Sequence, residues 1–129
     1  MIIKKLVVGS LFSMLLVSEM AAADWGDVYY CQMTNFIGIT LDGEHERYKL
    51  TKFKFKLDQT KNAIVFGSKG YFTDKVYELG LGMLGPTMWK ANLMQSSTTA
   101  TIIFMNGMFL HTYNGLAGAN IISADCEKF

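Results

Sequence analysis

The chain has 129 residues, room for one domain. Twelve Lys and Arg stand against eleven Asp and Glu, so it carries no broad basic footprint for nucleic acid or an anionic membrane. It holds two cysteines and two histidines, too few for a dense disulfide scaffold or a multi-histidine metal centre.

The first residues do not read as domain material. Met1 to Lys5 carries Lys4 and Lys5 and no acid, and Leu6 to Val17 is apolar except for Gly9, Ser10 and Ser13. Ser18-Glu19-Met20 is a polar exit, and Ala21-Ala22-Ala23 supplies the small residues a signal peptidase reads. The expectation is a signal peptide over residues 1–23, cleavage before Asp24, and a single domain over 24–129 that is periplasmic or secreted. The apolar run falls short of the roughly 20 residues needed to cross hydrocarbon, so no stable membrane insertion is expected after cleavage. Removing Lys4, Lys5 and Glu19 leaves ten basic and ten acidic residues, a neutral domain.

Cys31 and Cys126 lie near the two ends of that domain. In an oxidising compartment the pair reads as one disulfide; free thiols and a metal pair are the alternatives, the latter lacking short zinc spacing. A bridge over so long a loop could stabilise by roughly 4 to 5 kcal/mol in the chain-entropy model. It would make the first and last strands neighbours, as in a sheet closed on itself.

Val28 to Thr34 reads as the first strand. Asp42 to Arg47 collects three carboxylates and His45; a solvated loop tip is favoured over a metal loop, for which the segment is too short. Phe53, Phe55 and Leu57 alternate with Lys52, Lys54 and Lys56, one face buried and one wet. Asp58 to Asn62 is turn chemistry, Ala63 to Phe66 a strand ended by Gly67, and Tyr71-Phe72 a short strand. Asp74 to Leu84 is either a short helix or an apolar loop, with Gly80 and Gly82 against the helix. Trp89, Ala91 and Leu93 mark a further strand.

Thr99 to Tyr113 carries the strongest local signal. Two β-rich runs flank Asn106-Gly107, which suits a type I′ turn and sets Met105 opposite Met108, Phe104 opposite Phe109 and Ile102 opposite His111. Ile102, Phe104, Phe109, His111 and Tyr113 then share one face, while Thr101, Ile103, Met105, Met108 and Leu110 share the other. One face must line the interior and the other must be covered. Ala119 to Cys126 is the closing strand.

The fold expected is all-β, with at most one short helix: a small antiparallel barrel or sandwich whose terminal strands are joined by Cys31–Cys126. The Tyr29-x-Cys31 start, β-rich middle and late cysteine resemble the layout of the small periplasmic inhibitors of C-type lysozyme. That resemblance implies a disulfide-tied barrel with a protein target. The Ser-Gly-x-x-Tyr loop motif of that family is not matched by Ser68-Lys69-Gly70-Tyr71, so no residue carries over.

No catalytic motif surrounds Ser123, Asp125 or His111, and neither enzyme activity nor a cofactor or metal is expected. The first functional reading is a non-catalytic module holding a small apolar ligand in the barrel mouth. Its lining would be Leu79, Leu81, Met83 and Leu84 as a lid, with Phe104, Phe109, His111 and Tyr113. The second is a protein-binding module, inhibitor-like or envelope-associated, using the other face of the hairpin.

Overall fold

Apolar residues at every second position build the walls. The computed structural model describes residues 23–80 and 88–129, and their regular structure is strand alone. The strands are β1 (Val28–Thr40), β2 (His45–Arg47), β3 (Lys52–Asp58), β4 (Ala63–Gly70), β5 (Val76–Leu79), β6 (Met88–Gln95), β7 (Thr98–Met105), β8 (Met108–Gly115) and β9 (Gly118–Lys128). Phe53, Phe55 and Leu57 of β3 point inward while Lys52, Lys54 and Lys56 point to solvent, as their alternation dictates.

Every pairing is antiparallel, and each strand from β3 onward pairs with the next in the chain. β1 pairs with β9 from Tyr29↔Lys128 to Thr40↔Gly118, closing the sheet into an eight-stranded barrel. On its other side β1 pairs first with β3 and then, through Ile37–Ile39, with β2. β2 and β3 are thus two pieces of one interrupted strand. Closure removes the sheet edges that would otherwise invite pairing with another chain.

Cys31 and Cys126 are register partners and form the disulfide, so the covalent bond and the ladder fasten the same two strands. β1 runs six residues further than Thr34, where its register against β9 shifts. Tyr29, Cys31 and Met33 face inward before that bulge, Phe36 and Gly38 after it. One extra residue keeps the apolar side indoors on both sides of the break.

The hairpin register is as the sequence predicts. Phe104 faces Phe109 and Ile102 faces His111, with Asn106 at φ 53° and Gly107 at φ 75°. The helix alternative at Asp74 to Leu84 does not form in its described part. Tyr77 and Leu79 turn inward while Val76 and Glu78 turn out, so period two buries both large side chains and pairs the backbone with β4 and β6. Tyr71-Phe72 is turn rather than strand, and β4 instead continues to Gly70. His45 belongs to the exposed β2, not to a loop tip.

Aromatic rings fill the interior. Phe55, Phe104 and Phe109 are almost wholly buried, their centroids 5.1 and 5.8 Å from Phe55 to the other two. Phe53, Phe66 and Phe72 extend this cluster through tilted and edge-on contacts.

Candidate functional site

The wall opens between β5 and β6. These strands share only Glu78↔Asn92 and Leu79↔Ala91 before diverging, whereas β6 and β7 stay paired to Gln95↔Thr98. The splay leaves an open cleft of about 550 Å³ at the end of the barrel that carries the β4–β5, β6–β7 and β8–β9 turns. This volume falls in the range of small-ligand sites. Tyr71, Phe72 and Lys75 reach it from the β4–β5 turn, Leu93, Gln95 and Thr98 from β6 and β7, and Tyr77, His111, Tyr113 and Asn120 from the strands behind.

His111 forms the floor. It is inward because Phe109 and His111 share a side of β8, and its ring is 3 % exposed. The Phe72 ring meets it edge-on at 4.8 Å. Its Nε2 is 3.1 Å from the Tyr77 hydroxyl, while Nδ1 has no hydrogen-bond partner among the described residues. Burial, with a contribution from the Lys75 cation, pushes the imidazolium down to about 4, so the ring is neutral at ordinary pH. Burial pushes the Tyr77 phenol up to about 12, with smaller contributions from Tyr71 and Tyr113, so it stays protonated. The Asn120 Oδ1 is buried and likewise without a described partner. Two residues that line the cleft thus each carry a buried polar atom without a described partner.

Of the residues singled out in the sequence, the described ones do not all line this cleft. His111 and Tyr113 line the cleft. Phe104 and Phe109 are core residues packed among other rings. Leu79 is buried at the far end of β5, where its N–H donates to the Asn62 carbonyl. Leu81, Met83 and Leu84 lie outside the described residues. Leu79 and Met88, which flank that segment, belong to the end of the barrel opposite Tyr113: Met88 pairs with Met105 at the Asn106-Gly107 turn.

Asn120, Tyr77, Tyr71 and Gln95 went unmarked in the sequence. Period two over Val76 to Leu79 was the available signal for Tyr77, but four residues of alternation compete poorly with a helical spacing. Nothing local marks Asn120.

Ser123 does not meet His111. It projects to the outer face of β9, where its hydroxyl contacts the Thr34 hydroxyl at 2.8 Å and accepts from the Asn35 amide at 2.9 Å. The outer face of the hairpin remains open: Ile103, Met105, Met108 and Leu110 border a groove of about 400 Å³ edged by Thr34, Ser123 and Asp125. Shallower depressions beside Tyr30, Lys52 and Lys54 lie on the lysine-bearing wall, where the Lys54 ammonium sits 5.6 Å above the Tyr30 ring.

Comparison with known proteins finds no match: no family model, no curated protein and no solved structure aligns with the chain.

Proposed function

We propose that this protein is a non-catalytic binding module, exported by a leader cleaved before Asp24, that receives a small molecule in the cleft between β5 and β6. The observation that carries this reading is the pair of buried polar atoms without described protein partners, His111 Nδ1 and Asn120 Oδ1, on residues that line an aromatic-walled opening. A buried polar group left unpaired costs about 1–3 kcal/mol, a cost that a bound molecule with matching groups would offset. The mixed walls favour a ligand with polar groups as well as an apolar face, rather than a wholly apolar guest. The ring-filled interior supports entry at the mouth alone.

Native mass spectrometry of protein purified from its own source tests this. A co-purifying small molecule is expected, and its extraction should lower the thermal midpoint by mass action. A bare mass whose midpoint is insensitive to extraction contradicts it.

A second reading rests on the open apolar face of the hairpin, where Met108 is 56 % exposed beside Leu110. Apolar surface of this kind supports a protein partner. A partner captured by the parent protein and lost with Met108→Lys and Leu110→Lys would favour it.

A further inference from the structure

We propose that the ligand of the cleft is a saccharide, one ring hydroxyl held between His111 and Asn120 and the apolar face of the sugar laid on a tyrosine ring. This rests on the reading of the cleft as a small-molecule site and names the chemistry that fits it.

The hydrogen bond between Tyr77 and His111 fixes what the cleft can recognise. Tyr77 Oη has His111 Nε2 as its partner at 3.1 Å. With the Tyr77 phenol as donor and the neutral imidazole Nε2 as acceptor, the direction this proposal takes, the imidazole proton resides on Nδ1. His111 Nδ1–H is then a buried donor, and Asn120 Oδ1 a buried acceptor, on two residues that line the cleft. A hydroxyl is the group that can accept from the first and donate to the second. A carboxylate could only accept and would leave Asn120 Oδ1 unmet. An ammonium could only donate and would leave Nδ1–H unmet.

A single alcohol would use little else of the cleft. Gln95 and Thr98 add neutral donors and acceptors along its β6–β7 side. Tyr71 and Tyr113 are 44 % and 36 % exposed, so ring surface is accessible at the mouth to the C–H face of a pyranose. Lys75 is the one charged side chain among the lining residues, and it comes from the turn rather than from a strand. A neutral, hydroxyl-rich ring with one apolar face matches all of these features together.

The test is a titration of the disulfide-bonded, isotope-labelled protein followed by amide and side-chain NMR. The probes are cellobiose and N,N′-diacetylchitobiose, with benzoate and uracil as planar ligands that are not polyols. The expected result is that a saccharide shifts signals of Tyr77, His111, Tyr113 and Asn120, and that Asn120→Leu weakens it at least tenfold. Tyr113→Ala, which removes an exposed ring, should weaken it about as much and keeps the test open should Asn120→Leu not fold. Cleft signals moved by benzoate or uracil, with both sugars silent, would overturn the saccharide and leave the binding module standing. Silence from all four probes overturns the saccharide too, and a small molecule other than a sugar found by native mass spectrometry would then keep the broader reading alive. A sugar bound equally well by both variants would place its site elsewhere and overturn the proposal.

Discussion

The two ends of the barrel are built from the same kind of residue and behave differently. At the closed end Trp25 meets Trp89 edge-on at 4.8 Å, and β3–β4 and β7–β8 stay paired to their turns, at Asp58↔Ala63 and Met105↔Met108. The chain before β1 crosses beneath them, with Gly26 N–H donating to the Leu57 carbonyl and Leu57 N–H to that of Asp27. At the open end β5 and β6 part, and the rings there carry polar atoms: Tyr48, Tyr71, Tyr77, Tyr113 and His111. Phe36 packs tilted against Tyr48 at 4.6 Å and edge-on to Tyr71 at 5.1 Å, covering one side of the opening and leaving the other as the cleft. Tyr48 in turn lies so close to Gly38 that any side chain there would collide with it. Packed rings plug the first end; tyrosines and His111 line the entrance at the second.

This contrast predicts a large asymmetry in stability. Phe104→Ala removes a ring that is 1 % exposed at the crowded half and should cost about 3–5 kcal/mol. Tyr71→Ala at the mouth should cost less than about 1 kcal/mol, since much of that ring already meets water. Urea midpoints at constant slope measure both. Equal losses would mean that the mouth is as firmly packed as the plug.

The second prediction sharpens the contrast through pH. The unfolded chain carries His111 near its ordinary value of 6.5, and folding lowers it to about 4. A cationic group lowered by folding contributes stability that is complete above 6.5 and lost as pH falls toward 4. The difference corresponds to about 3 kcal/mol. Subtracting the stability curve of His111→Leu from that of the parent protein isolates this loss from the titration of carboxylates. Lys75→Gln should shift the midpoint of the loss upward slightly, because it removes a neighbouring cation. A difference curve flat between pH 4 and 7 would mean that His111 is solvated in the folded state.

The fold was more legible in the sequence than the site, for physical reasons. Lys52 to Leu57 alternates cleanly because β3 has water on one side and packed rings on the other. Asn106-Gly107 announces a turn because few other pairs tolerate two successive positive φ angles. The Cys31–Cys126 pairing followed from there being two cysteines. Legibility failed where phase breaks. The bulge after Met33 changes which residues face inward, so β1 read as ending at Thr34 although Phe36 continues its buried side. The cleft was not legible because it is made where pairing stops. Asn120, Gln95 and Tyr71 meet only through the path of the barrel, and no short-range pattern encodes a splay between β5 and β6.

The hairpin turn yields a smaller effect. Gly107 has φ 75°, and a Cβ placed there would lie 3.1 Å from the Cys126 carbonyl oxygen, which Gly107 faces across the β8–β9 edge. Gly107→Val should therefore lower stability by about 1–2 kcal/mol at the closed end. NMR shifts of Tyr71 and Tyr113 at the open end should stay unchanged. Movement of those signals would mean that the two ends are mechanically coupled and cannot be treated as separate regions.

The smallest effect concerns Asp27, at the closed end beside the proposed cleavage point before Asp24. The Asp24 N–H donates to Asp27 Oδ2 at 2.9 Å, and Lys128 Nζ lies 3.3 Å from Asp27 Oδ1. Cleavage before Asp24 would convert that N–H into an ammonium, so one carboxylate would bridge both the new N-terminus and the C-terminal strand. Lys128 is well exposed and the interaction is screened, which limits each pair to no more than about 1 kcal/mol. Asp27→Asn should accordingly destabilise the processed protein slightly more than a form retaining Ala23, where only the neutral N–H is present. Thermal melts of the two forms at low and high salt measure this, after intact mass has fixed the N-terminus of each. The extra loss should shrink at high salt, because it comes from a charge pair rather than from packing. An Asp27→Asn effect equal in both forms would mean that the new N-terminus does not engage this carboxylate, and that the plug owes its closure to Trp25 and the backbone bonds of Gly26 and Leu57.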